Sequence, residues 1–518
     1  MHFLCAVHSA AWRVTCTSRN RMPTHHAAVC QNREARYLSC LRLIKWDYKA
    51  SAARPPVSIL EGQVGTGQHT DPVRSRQGPP GRMTHTAPHT RHPSSSTPCQ
   101  IMGHTNDRSS TTASEKSHGG QGDAASWTLR QHPDPGQIDA AAWNALLVAS
   151  PQPTPFLRHE FLLALHRSGS AVPQTGWTPT FLTLHDAAGH LQAGAALYLK
   201  SHSYGEYVFD WAWADAWQRA GQRYYPKLLG AVPFTPVPGS RLLARSGAAR
   251  AALLQGIEQF ARERGLSSAH LLFLDEADRA VAQAQGWLLR EGVQFHWENR
   301  HVRQDAPESA LPYADFADFL ASLNRDKRKK IQQERRYVRE AGVSFEALQG
   351  TDISPADWDY FYECYVLTYQ EHRSTPYLSR SFFAEVARTL PEHWLLFIAR
   401  RNGQRVASSL VALDPQQKVA YGRYWGSTEY IAHLHFAACY FEPLDWCIEH
   451  QYCRFEGGAQ GEHKMARGLL PVKTTSAHWL RHPGFADAVA QFLDQEKTGI
   501  GEYMQELEAR SPFKTDQN

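Results

Sequence analysis

The sequence predicts a mixed α/β (α+β) fold whose architecture is built twice along the chain. In residues 140–300, helical patterns lead into a meander of three strands, then a helix, a strand, a further element and a last strand. Residues 313–495 repeat that order. The repeat concerns the order of elements, because no evident string of residues recurs. Mixed, mostly antiparallel sheets flanked by helices suit such an order.

Length and composition bound the class of protein. The chain has 518 residues, 42% hydrophobic and 20% charged, which is typical of a globular protein with roughly two to four domains. A formal net charge of +5 is mild for this length, so the whole protein is not expected to coat nucleic acid. The nine cysteines show no CxxC pair and no zinc-ligand spacing, which predicts no metal site and a reducing, cytoplasmic location. No apolar run reaches the length of a membrane span.

The two ends of the chain are set apart from the predicted domains. Residues 1–125 are rich in Arg, His, Ser, Thr, Pro and Gly and lack sustained periodicity, which predicts a disordered, low-complexity extension. Met102 is a candidate for the true start, in which case residues 1–101 are not made. Residues 496–518 are predicted to form a C-terminal tail.

The first half alternates strands with helices. Predicted helices cover residues 140–147, 160–166, 216–229, 248–264 and 276–285. Predicted strands cover residues 180–185, 191–200, 204–213, 241–243, 269–274 and 293–297. The helix over 248–264 has the clearest pattern, since its apolar residues share one face and Gly265 closes it.

The second half begins with a long predicted helix over residues 313–341. Further helices cover residues 357–371, 381–390 and 433–450, and strands cover 394–400, 406–413, 418–425, a stretch from 454 and a last piece over 474–479. Asn402-Gly403 predicts the hairpin turn between the first two strands. Pro443 lies inside the helix over 433–450, where its ring costs about 3 kcal/mol, so a kink or break is expected there.

Candidate chemistry concentrates in residues 454–475. A short apolar strand runs into three glycines, which permit a sharp turn or close approach to a ligand. Glu462, His463, Lys464 and Arg467 then follow within six positions. They offer a base, an acid and two cations in one place. A solvated turn with ordinary surface charges is the alternative interpretation.

Six strings spread over both halves carry a family resemblance. They are KSHSYGEYVFDW at 200–211, YYPKL at 224–228, PFTPV at 233–237, QFHW at 294–297, YGRYWG at 421–426, and the glycine-rich string at 458–467. With these strings, residues of about 150–490 resemble the bacterial FemAB-like predicted N-acyltransferases, which are associated with peptidoglycan biosynthesis or recognition. The order of elements is similar to the GNAT acyltransferase fold, and its doubling is similar to the Fem aminoacyltransferases. The resemblance implies tandem GNAT-like domains.

The chain departs from the family pattern at three places. Ala437 stands where the corresponding helix usually carries an acid, Gly458 stands in place of a proline, and Glu442-Pro443 replaces what resembles a Gln-Gly pair. If the missing acid is functional in relatives, activity here is weakened or altered. The Arg-x-x-Gly-x-Gly/Ala loop that holds the acyl-CoA pyrophosphate in GNAT enzymes is also missing, and Fem enzymes proper use aminoacyl-tRNA. The acyl donor is therefore left open between aminoacyl-tRNA and acyl-CoA.

Acyl transfer to an amine requires a neutral amine, a polarised carbonyl and an acid for the leaving group. Glu462 and His463 are the candidate bases, acting directly or through water, and Tyr424 is the candidate acid. A structural or surface role is the alternative for His463, and core packing is the alternative for Tyr424.

Ten polar residues are candidates for substrate binding. The segment over 200–210 is both polar and aromatic, which suits a sugar or peptide ligand, and a buried carboxylate at Asp210 requires a partner or a site role. Cations in the glycine-rich string can bind phosphate or carboxylate. The candidates are Lys200, His202, Tyr204, Glu206, Asp210, Arg423, Glu456, Gln460, Lys464 and Arg467.

One predicted helix is strongly basic on the side opposite its apolar face. Its cations are Arg325, Lys327, Arg328, Lys329, Lys330, Arg335, Arg336 and Arg339. Contact with the phosphates of tRNA or of a lipid- or nucleotide-linked precursor is the functional interpretation. A solvated helix face is the alternative.

The sequence thus favours an N-acyltransferase that moves an acyl or aminoacyl group to an amine of a peptide or cell-wall precursor. Two alternatives stay open: a non-catalytic protein that recognises peptidoglycan or peptide, and an acyl-CoA-dependent N-acetyltransferase of a small amine.

Overall fold

The computed structural model of the protein describes residues 127–301, 311–459 and 461–514. The predicted extension over residues 1–125 and the candidate residue Gln460 lie outside these ranges. No helix within them is both long enough and apolar enough to cross a membrane.

The first half contains nine strands and five helices within the described ranges. The strands are β1 (Thr128–His132), β2 (Trp177–Pro179), β3 (Phe181–His185), β4 (Leu191–Ala195), β5 (Leu197–Lys200), β6 (Lys227–Gly230), β7 (Leu243–Ala244), β8 (Ser268–Leu274) and β9 (Leu288–Glu298). The helices are α1 (Ala140–Val148), α2 (His159–Arg167), α3 (Trp211–Arg219), α4 (Gly247–Glu263) and α5 (Glu276–Ala284).

The second half continues the numbering. Its strands are β10 (Val343–Gln349), β11 (Trp394–Arg401), β12 (Gln404–Asp414), β13 (Val419–Ser427), β14 (Arg454–Ala459) and β15 (Leu470–Leu480). Its helices are α6 (Phe316–Ser322), α7 (Arg325–Glu340), α8 (Pro355–Glu371), α9 (Arg380–Thr389), α10 (Leu434–Phe436), α11 (Glu442–Glu449) and α12 (Pro483–Ala509). A π-helical segment, Ala437–Phe441, joins α10 to α11, and a 3-10 turn, Glu462–Arg467, follows β14. Helix α12 runs across the predicted boundary at residue 495.

One sheet of eleven strands spans both halves. Its order is β10-β11-β12-β13-β14-β9-β15-β8-β6-β5-β2, and a separate sheet has the order β1-β3-β4-β7. Strands β6 and β8 are parallel, as are β13 and β14, and the other strand pairs in the described ranges are antiparallel. The predicted class of mixed, mostly antiparallel sheets flanked by helices is confirmed.

The two halves exchange their last strands at the centre of the large sheet. Strand β9 ends the first half, yet it pairs with β14 of the second half. Strand β15 ends the second half, yet it pairs with β8 of the first half. The exchanged strands also pair with each other, from Leu288 opposite His478 to His296 opposite Leu470. Backbone groups of each half are therefore satisfied by a strand from the other half.

The largest apolar cluster also crosses between the halves. Phe161 on α2 meets Phe382 on α9 edge to face, with ring centroids 5.3 Å apart. Phe156 meets Tyr421 on β13 in the same way, at 5.2 Å. Such aromatic pairs each contribute about 0.5–1.5 kcal/mol beyond the area they bury. Packing therefore joins the same two halves that the strand exchange joins.

The predicted strand over residues 204–213 is wrong. Residues 201–210 form an irregular loop, and α3 begins at Trp211. Gly205 and Tyr207 adopt left-handed backbone conformations, with φ of 80° and 63°, which an extended strand does not allow. The aromatic content that suggested a strand belongs to a loop that packs on the core, where Tyr207 and Val208 are partly buried. The predicted helix over 216–229 likewise runs too far, because β6 begins at Lys227.

The long helix predicted over residues 313–341 is two helices. Helix α6 ends at Ser322, and the side chain of Asn324 accepts a hydrogen bond from the backbone N–H of Lys327, capping α7. The helix expected over residues 433–450 is not broken at Pro443. It runs without interruption from Leu434 to Glu449, and a π-helical segment, Ala437–Phe441, lies just before the proline.

The strand exchange predicts that neither half is stable alone. Without its partner, residues 127–301 lose β15 beside β8, and residues 311–514 lose β9 beside β14, leaving unpaired edges in what is now the middle of a sheet. We expect each half expressed separately to lack a cooperative urea transition by tryptophan fluorescence and near-UV circular dichroism. Co-expression of the two pieces should restore one transition. A separately expressed half that unfolds cooperatively would contradict the importance of the exchange.

Candidate functional site

A buried charge network lies under the loop over residues 201–210. Lys227 on β6 is 0% exposed, and its Nζ donates to Ser203 Oγ at 2.8 Å, to Glu206 Oε2 at 2.7 Å and to Asp210 Oδ2. Asp210 also accepts hydrogen bonds from Ser203 Oγ and Tyr224 OH. The partner that a buried Asp210 requires is therefore Lys227.

The network continues across the strand exchange through two histidines. Tyr224 OH lies 3.2 Å from His270 Nε2 on β8, and His270 Nδ1 lies 2.8 Å from His478 Nδ1 on β15. Burial lowers the pKa of His270 to about 3, and burial together with His270 lowers the pKa of His478 well below its usual value. Both rings are therefore neutral at pH 7, and one donates its Nδ1 hydrogen to the other.

Three predicted substrate-binding residues belong to this network. Burial raises the pKa of Asp210, but Lys227 and His270 outweigh it and hold that pKa well below its usual value. Burial raises the pKa of Glu206 to about 7 and lowers the pKa of Lys200 to about 7. Lys200 Nζ lies 4.0 Å from Glu206 Oε1, donates to Tyr204 O at 3.3 Å and stacks 3.6 Å over the Trp177 ring. The structure brings Lys200, Glu206 and Asp210 together in the interior.

His202 and Tyr204 lie at the outer edge of the same loop. The backbone N–H of Tyr204 donates to His202 Nδ1 at 3.2 Å, and the two rings contact edge to face. Burial and the nearby Lys200 charge lower the pKa of His202 to about 4, so its ring is neutral. Tyr204 is 46% exposed, and it is therefore available to a ligand.

The glycine-rich turn begins where β14 separates from its neighbours. Strand β14 pairs in parallel with β13 over only three residue pairs, ending at Tyr421 opposite Glu456. The pairing of β14 with β9 is interrupted between Glu456 and Ala459. Gly458 has a φ of 76°, a conformation that glycine adopts without strain. An opening therefore results within the sheet, between β13 and the end of β14.

Lys464 and Arg467 reach this opening from the 3-10 turn. Lys464 is buried, its Nζ donates to Gly458 O at 3.1 Å, and burial lowers its pKa to about 7. Arg467 binds both carboxylate oxygens of Glu334 at 3.1 Å and stacks 3.6 Å over the Phe436 ring. Glu334 is a buried residue of α7, so the basic helix is tied to the turn from inside.

His463 and Glu462 point to different neighbours. His463 Nε2 lies 3.2 Å from Tyr440 OH, in the π-helical segment. The side chain of Glu462 is 41% exposed, accepts a hydrogen bond from Tyr503 OH at 2.9 Å and pairs with Arg510 at 3.4 Å. The C-terminal helix α12 therefore holds Glu462. The catalytic roles of both residues stay predictions.

Tyr424 and Arg423 contact residues of the packing between the halves. The Tyr424 ring packs edge to face on Tyr365 of α8 and Phe383 of α9, at 5.0 and 6.1 Å. Arg423 donates to Phe234 O at 2.9 Å and to Tyr424 OH at 3.2 Å. Both side chains thus lie where the halves pack together, and the catalytic role of Tyr424 stays a prediction.

Glu456 lies at the seam of the strand exchange. It is 2% exposed, and burial raises its pKa to about 7 despite Arg454, whose Nε lies 3.2 Å from Glu456 Oε1. His296 on β9 lies opposite Glu456. Seven of the predicted residues thus fall into two groups: Lys200, Glu206 and Asp210 in the buried network, and Glu456, His463, Lys464 and Arg467 around the end of β14.

Sequence reasoning missed several residues of both groups. They are Ser203, Tyr224, Lys227, His270, His296, Glu334, Tyr440, Arg454 and His478. A signal was present for some of them, because Lys227, His270 and His478 interrupt apolar strands, where a polar group requires a partner. No such signal marks Glu334, since it lies among the charged residues of α7. Within the described residues, no group of three or more His, Cys, Asp or Glu is arranged to hold a metal ion.

Comparison with known proteins gives the family. The model of the FemAB-like family, described as peptidoglycan biosynthesis/recognition, matches residues 135–515. The chain therefore belongs to the FemAB-like family, and the resemblance drawn from its sequence is confirmed. No curated protein matches the sequence at a significant level.

Solved structures with a similar chain course include two from lysyl-phosphatidylglycerol synthetases. The C-terminal domain (DUF2156) of a putative lysylphosphatidylglycerol synthetase from Agrobacterium fabrum has a TM-score of 0.41 and 10% identity, covering 70% of this chain and 97% of its own. L-PGS from Bacillus licheniformis has a TM-score of 0.42 and 11% identity, with coverage of 70% and 97%. A tandem GNAT protein from the clavulanic acid biosynthesis pathway has a TM-score of 0.37 and 14% identity, with coverage of 69% and 99%.

The buried network predicts a large loss of stability when Lys227 is replaced. Lys227→Met leaves Asp210 buried without its lysine and leaves Glu206 with only Lys200, 4.0 Å away. Breaking a buried pair costs about 3–5 kcal/mol. Urea unfolding followed by fluorescence measures this loss. Lys330→Met is the matched control, because Lys330 is exposed on α7 and its replacement should change the free energy of unfolding by less than about 0.5 kcal/mol. Equal effects of the two substitutions would rule out the network as a stabilising element.

The depressed pKa of Lys464 predicts a pH-dependent contribution to stability. Between about pH 7 and the unfolded pKa of about 10.4, the unfolded chain binds a proton at Lys464 that the folded chain has released. Stability therefore rises with pH in this window, by up to about 1.4 kcal/mol per pH unit. We expect the free energy of unfolding of the wild type to increase relative to that of Lys464→Met as the pH rises from 7 to 9. A difference that stays constant with pH would show that Lys464 keeps an ordinary pKa.

Proposed function

We propose that the protein is an N-acyltransferase that transfers an acyl or aminoacyl group to an amine of a peptide or cell-wall precursor. Membership of the FemAB-like family supports this reaction class. The structural observation that carries the proposal is the opening at the end of β14. There the strand leaves β13, its pairing with β9 is interrupted, and a buried lysine with a pKa of about 7 donates to Gly458 O. A perturbed group of this kind in an opening of the backbone is typical of a catalytic site.

The reaction requires one proton acceptor and one set of groups for the developing oxyanion. The amine nitrogen attacks the carbonyl carbon and forms the C–N bond, and His463 takes the proton that the nitrogen loses. The tetrahedral intermediate then collapses, and the C–S bond of a thioester or the C–O bond of an ester breaks. The leaving sulfur or oxygen receives the proton. Tyr440 orients His463 through its hydroxyl, as a second group orients a general base in other sites.

Lys464 and Arg467 have different roles in this proposal. With a pKa of about 7, Lys464 exists in both protonation states near neutral pH, so it can donate to an oxyanion or relay a proton. Arg467 is fixed by Glu334 and by Phe436, which keeps its charge in one place. Glu462 positions the turn through Tyr503 and Arg510 and is the weaker candidate base. Tyr424 stays the candidate acid.

The donor is either aminoacyl-tRNA or acyl-CoA. Helix α7 favours a large phosphate-bearing donor. Glu334, which binds Arg467 of the turn, and the basic face belong to this one helix, so a donor bound on the basic face would lie near the turn. The exposed cations of that face are Arg325, Lys329, Lys330, Arg336 and Arg339. A tRNA on this face would be bound mainly by charge, so its affinity should fall steeply with salt.

A second candidate function is recognition of a peptide or glycan without turnover. Two observations favour it. Glu462 is engaged by α12, and Ala437, which stands in place of an acid, is 1% exposed within the π-helical segment. Only His463 is then left as a candidate base among the residues named for that role.

The enzyme proposal is tested with the full-length protein. Acetyl-CoA, longer acyl-CoAs and mixed aminoacyl-tRNA serve as donors, peptides with a free amine serve as acceptors, and mass spectrometry detects the acylated product. His463→Ala should lower kcat at least about 100-fold, because general base catalysis contributes about 10²–10⁴-fold. His190→Ala is the control, since His190 is exposed in the β3–β4 turn. Binding of an acceptor without turnover from any donor would favour the recognition protein.

A further inference from the structure

A cleft of about 250 Å³ opens at the seam of the strand exchange. Its floor includes His296 of β9, Glu456 of β14 and residues 472–475 of β15, which are the strands that the exchange places side by side. The first turn of α5 and two loop residues of the first half, Gln152 and Pro238, complete the wall. The cleft, called the seam pocket below, therefore exists only because both halves contribute to one sheet.

Glu456 supplies the seam pocket with an acceptor that the protein leaves unfilled. The residue is 2% exposed, and its Oε2 has no hydrogen-bond partner. Its Oε1 lies 3.2 Å from Arg454 Nε, but that contact has no hydrogen-bond geometry either. A buried polar atom without a partner costs about 1–3 kcal/mol, so a ligand that donates to Oε2 would remove a cost the folded protein otherwise carries.

Besides Arg454, which also lines the seam pocket, the candidate donor to Glu456 Oε2 is His296, and its hydrogen is committed elsewhere. His296 Nε2 lies 4.0 Å from Glu456 Oε2, too far for a hydrogen bond, and 3.1 Å from Gln294 Oε1. Gln294 Nε2 donates to Pro236 O at 2.9 Å, which fixes Oε1 as the acceptor of the amide. His296 Nε2 must then carry a hydrogen and donate it to Gln294. Burial lowers the pKa of His296 to about 3, so the ring is neutral and has no second hydrogen to give.

The rim of the seam pocket carries cations near the buried carboxylate. Lys473, Arg279 and Arg454 line it. Lys473 pairs with Glu291, and Arg279 pairs with Glu276. Thr474 and Thr475 add hydroxyl groups. A buried carboxylate with cations at the rim matches a molecule that carries an ammonium group at one end and a carboxylate at the other. The volume is slightly below the range of about 300–1,000 Å³ for drug-sized ligands, which suits one or two amino-acid residues.

The seam pocket adjoins the glycine-rich turn. Gly457 follows Glu456. A Cβ at Gly457 would lie 3.2 Å from both Lys464 Cδ and Phe295 O, so the Lys464 side chain packs directly against the backbone next to Glu456. Burial is the largest cause of the low pKa of His296, and the charges of Arg454 and Lys464 lower that pKa further. A group bound at Glu456 is therefore within electrostatic reach of the residues proposed for catalysis.

We propose that the seam pocket is the acceptor subsite and that it binds the amine-bearing end of an amino acid or short peptide, with Glu456 Oε2 accepting a hydrogen bond from the ammonium group. The role of acceptor subsite rests on the proposed N-acyltransferase function, whereas the binding of a zwitterion does not depend on that function. On release of one proton, the bound ammonium becomes the nucleophilic amine, and Glu456 is the nearest group to receive that proton. Lys473 at the rim contacts the carboxylate of the same molecule.

Isothermal titration calorimetry on the full-length protein tests the binding. The probes are L-alanyl-L-alanine, its N-acetyl derivative and its C-terminal amide. We expect saturable binding of the free dipeptide and binding about 10- to 100-fold weaker for the N-acetyl derivative, since a hydrogen bond to a charged group contributes about 1.5–3 kcal/mol. Glu456→Gln should weaken the free dipeptide by a similar factor. Glu258→Gln is the matched control and should leave binding unchanged, because Glu258 is a partly exposed residue of α4 that does not line the seam pocket.

A second variant covers the case in which Glu456→Gln does not fold. Lys473 has half of its side chain exposed, so Lys473→Ala should fold, weaken the free dipeptide and leave the C-terminal amide unaffected. Equal affinity for the dipeptide and its N-acetyl derivative, or no binding of any probe, would overturn the proposal. Binding that depends on Glu456 without acyl transfer would keep the seam pocket and reject the enzyme. Acyl transfer with an unchanged KM in Glu456→Gln would keep the enzyme and reject the seam pocket.

Discussion

The exchange of β9 and β15 is the constraint on which the rest of the structure depends. Each half ends in a strand that the other half requires, so the backbone hydrogen bonds at the centre of the large sheet are all formed between halves. Loop closure over such sequence distances costs entropy that is recovered only when the last strand docks. The same arrangement creates the seam pocket, places His270 against His478, and brings β14 to the point where it leaves its neighbours.

Buried charge fixes the two regions of interest. Around Lys227, one cation satisfies two carboxylates and a hydroxyl, which holds the loop over residues 201–210 against the sheet. Around Arg467, the carboxylate of Glu334 on α7 pairs with the guanidinium, which fixes the turn after β14. Buried pairs of this kind require good geometry to offset desolvation. Glu206 and Glu456 each have one carboxylate oxygen without a hydrogen-bond partner. What separates Glu456 is its position, because it lines the seam pocket.

Local patterns in the sequence predicted what depends on local physics. The amphipathic helix before Gly265 lies within one residue of its predicted bounds, and Asn402-Gly403 forms the predicted hairpin turn with both residues at positive φ. Pro443 does not break its helix, which continues through it after a π-helical segment. The loop after Lys200 was predicted as a strand because its aromatic residues are typical of strands, whereas Gly205 and Tyr207 turn the chain. The strand exchange has no local signal, since pairing partners are far apart in sequence.

The candidate site divides in the same way. The glycines and the cations of the turn were visible as a cluster, and the structure brings His463, Lys464 and Arg467 together. The partners of that cluster were not visible, because Glu334 and Tyr440 come from elements separated from it in sequence. Adjacency in sequence predicts that Glu462 and His463 act together. Neighbouring side chains in a 3-10 turn point in different directions, however, and Glu462 faces α12. Tyr424 is a candidate acid because a tyrosine hydroxyl can donate a proton, and its ring lies in the packing between the halves.

Native-state hydrogen exchange measured by mass spectrometry tests the strand exchange most directly. If the exchanged strands make one cooperative unit, peptides from β8 and β9 of the first half and from β14 and β15 of the second should open with the same free energy. Their protection should also fall together as urea is added. A first-half set of strands that stays protected after β14 and β15 have opened would contradict the exchange, and with it the origin of the seam pocket.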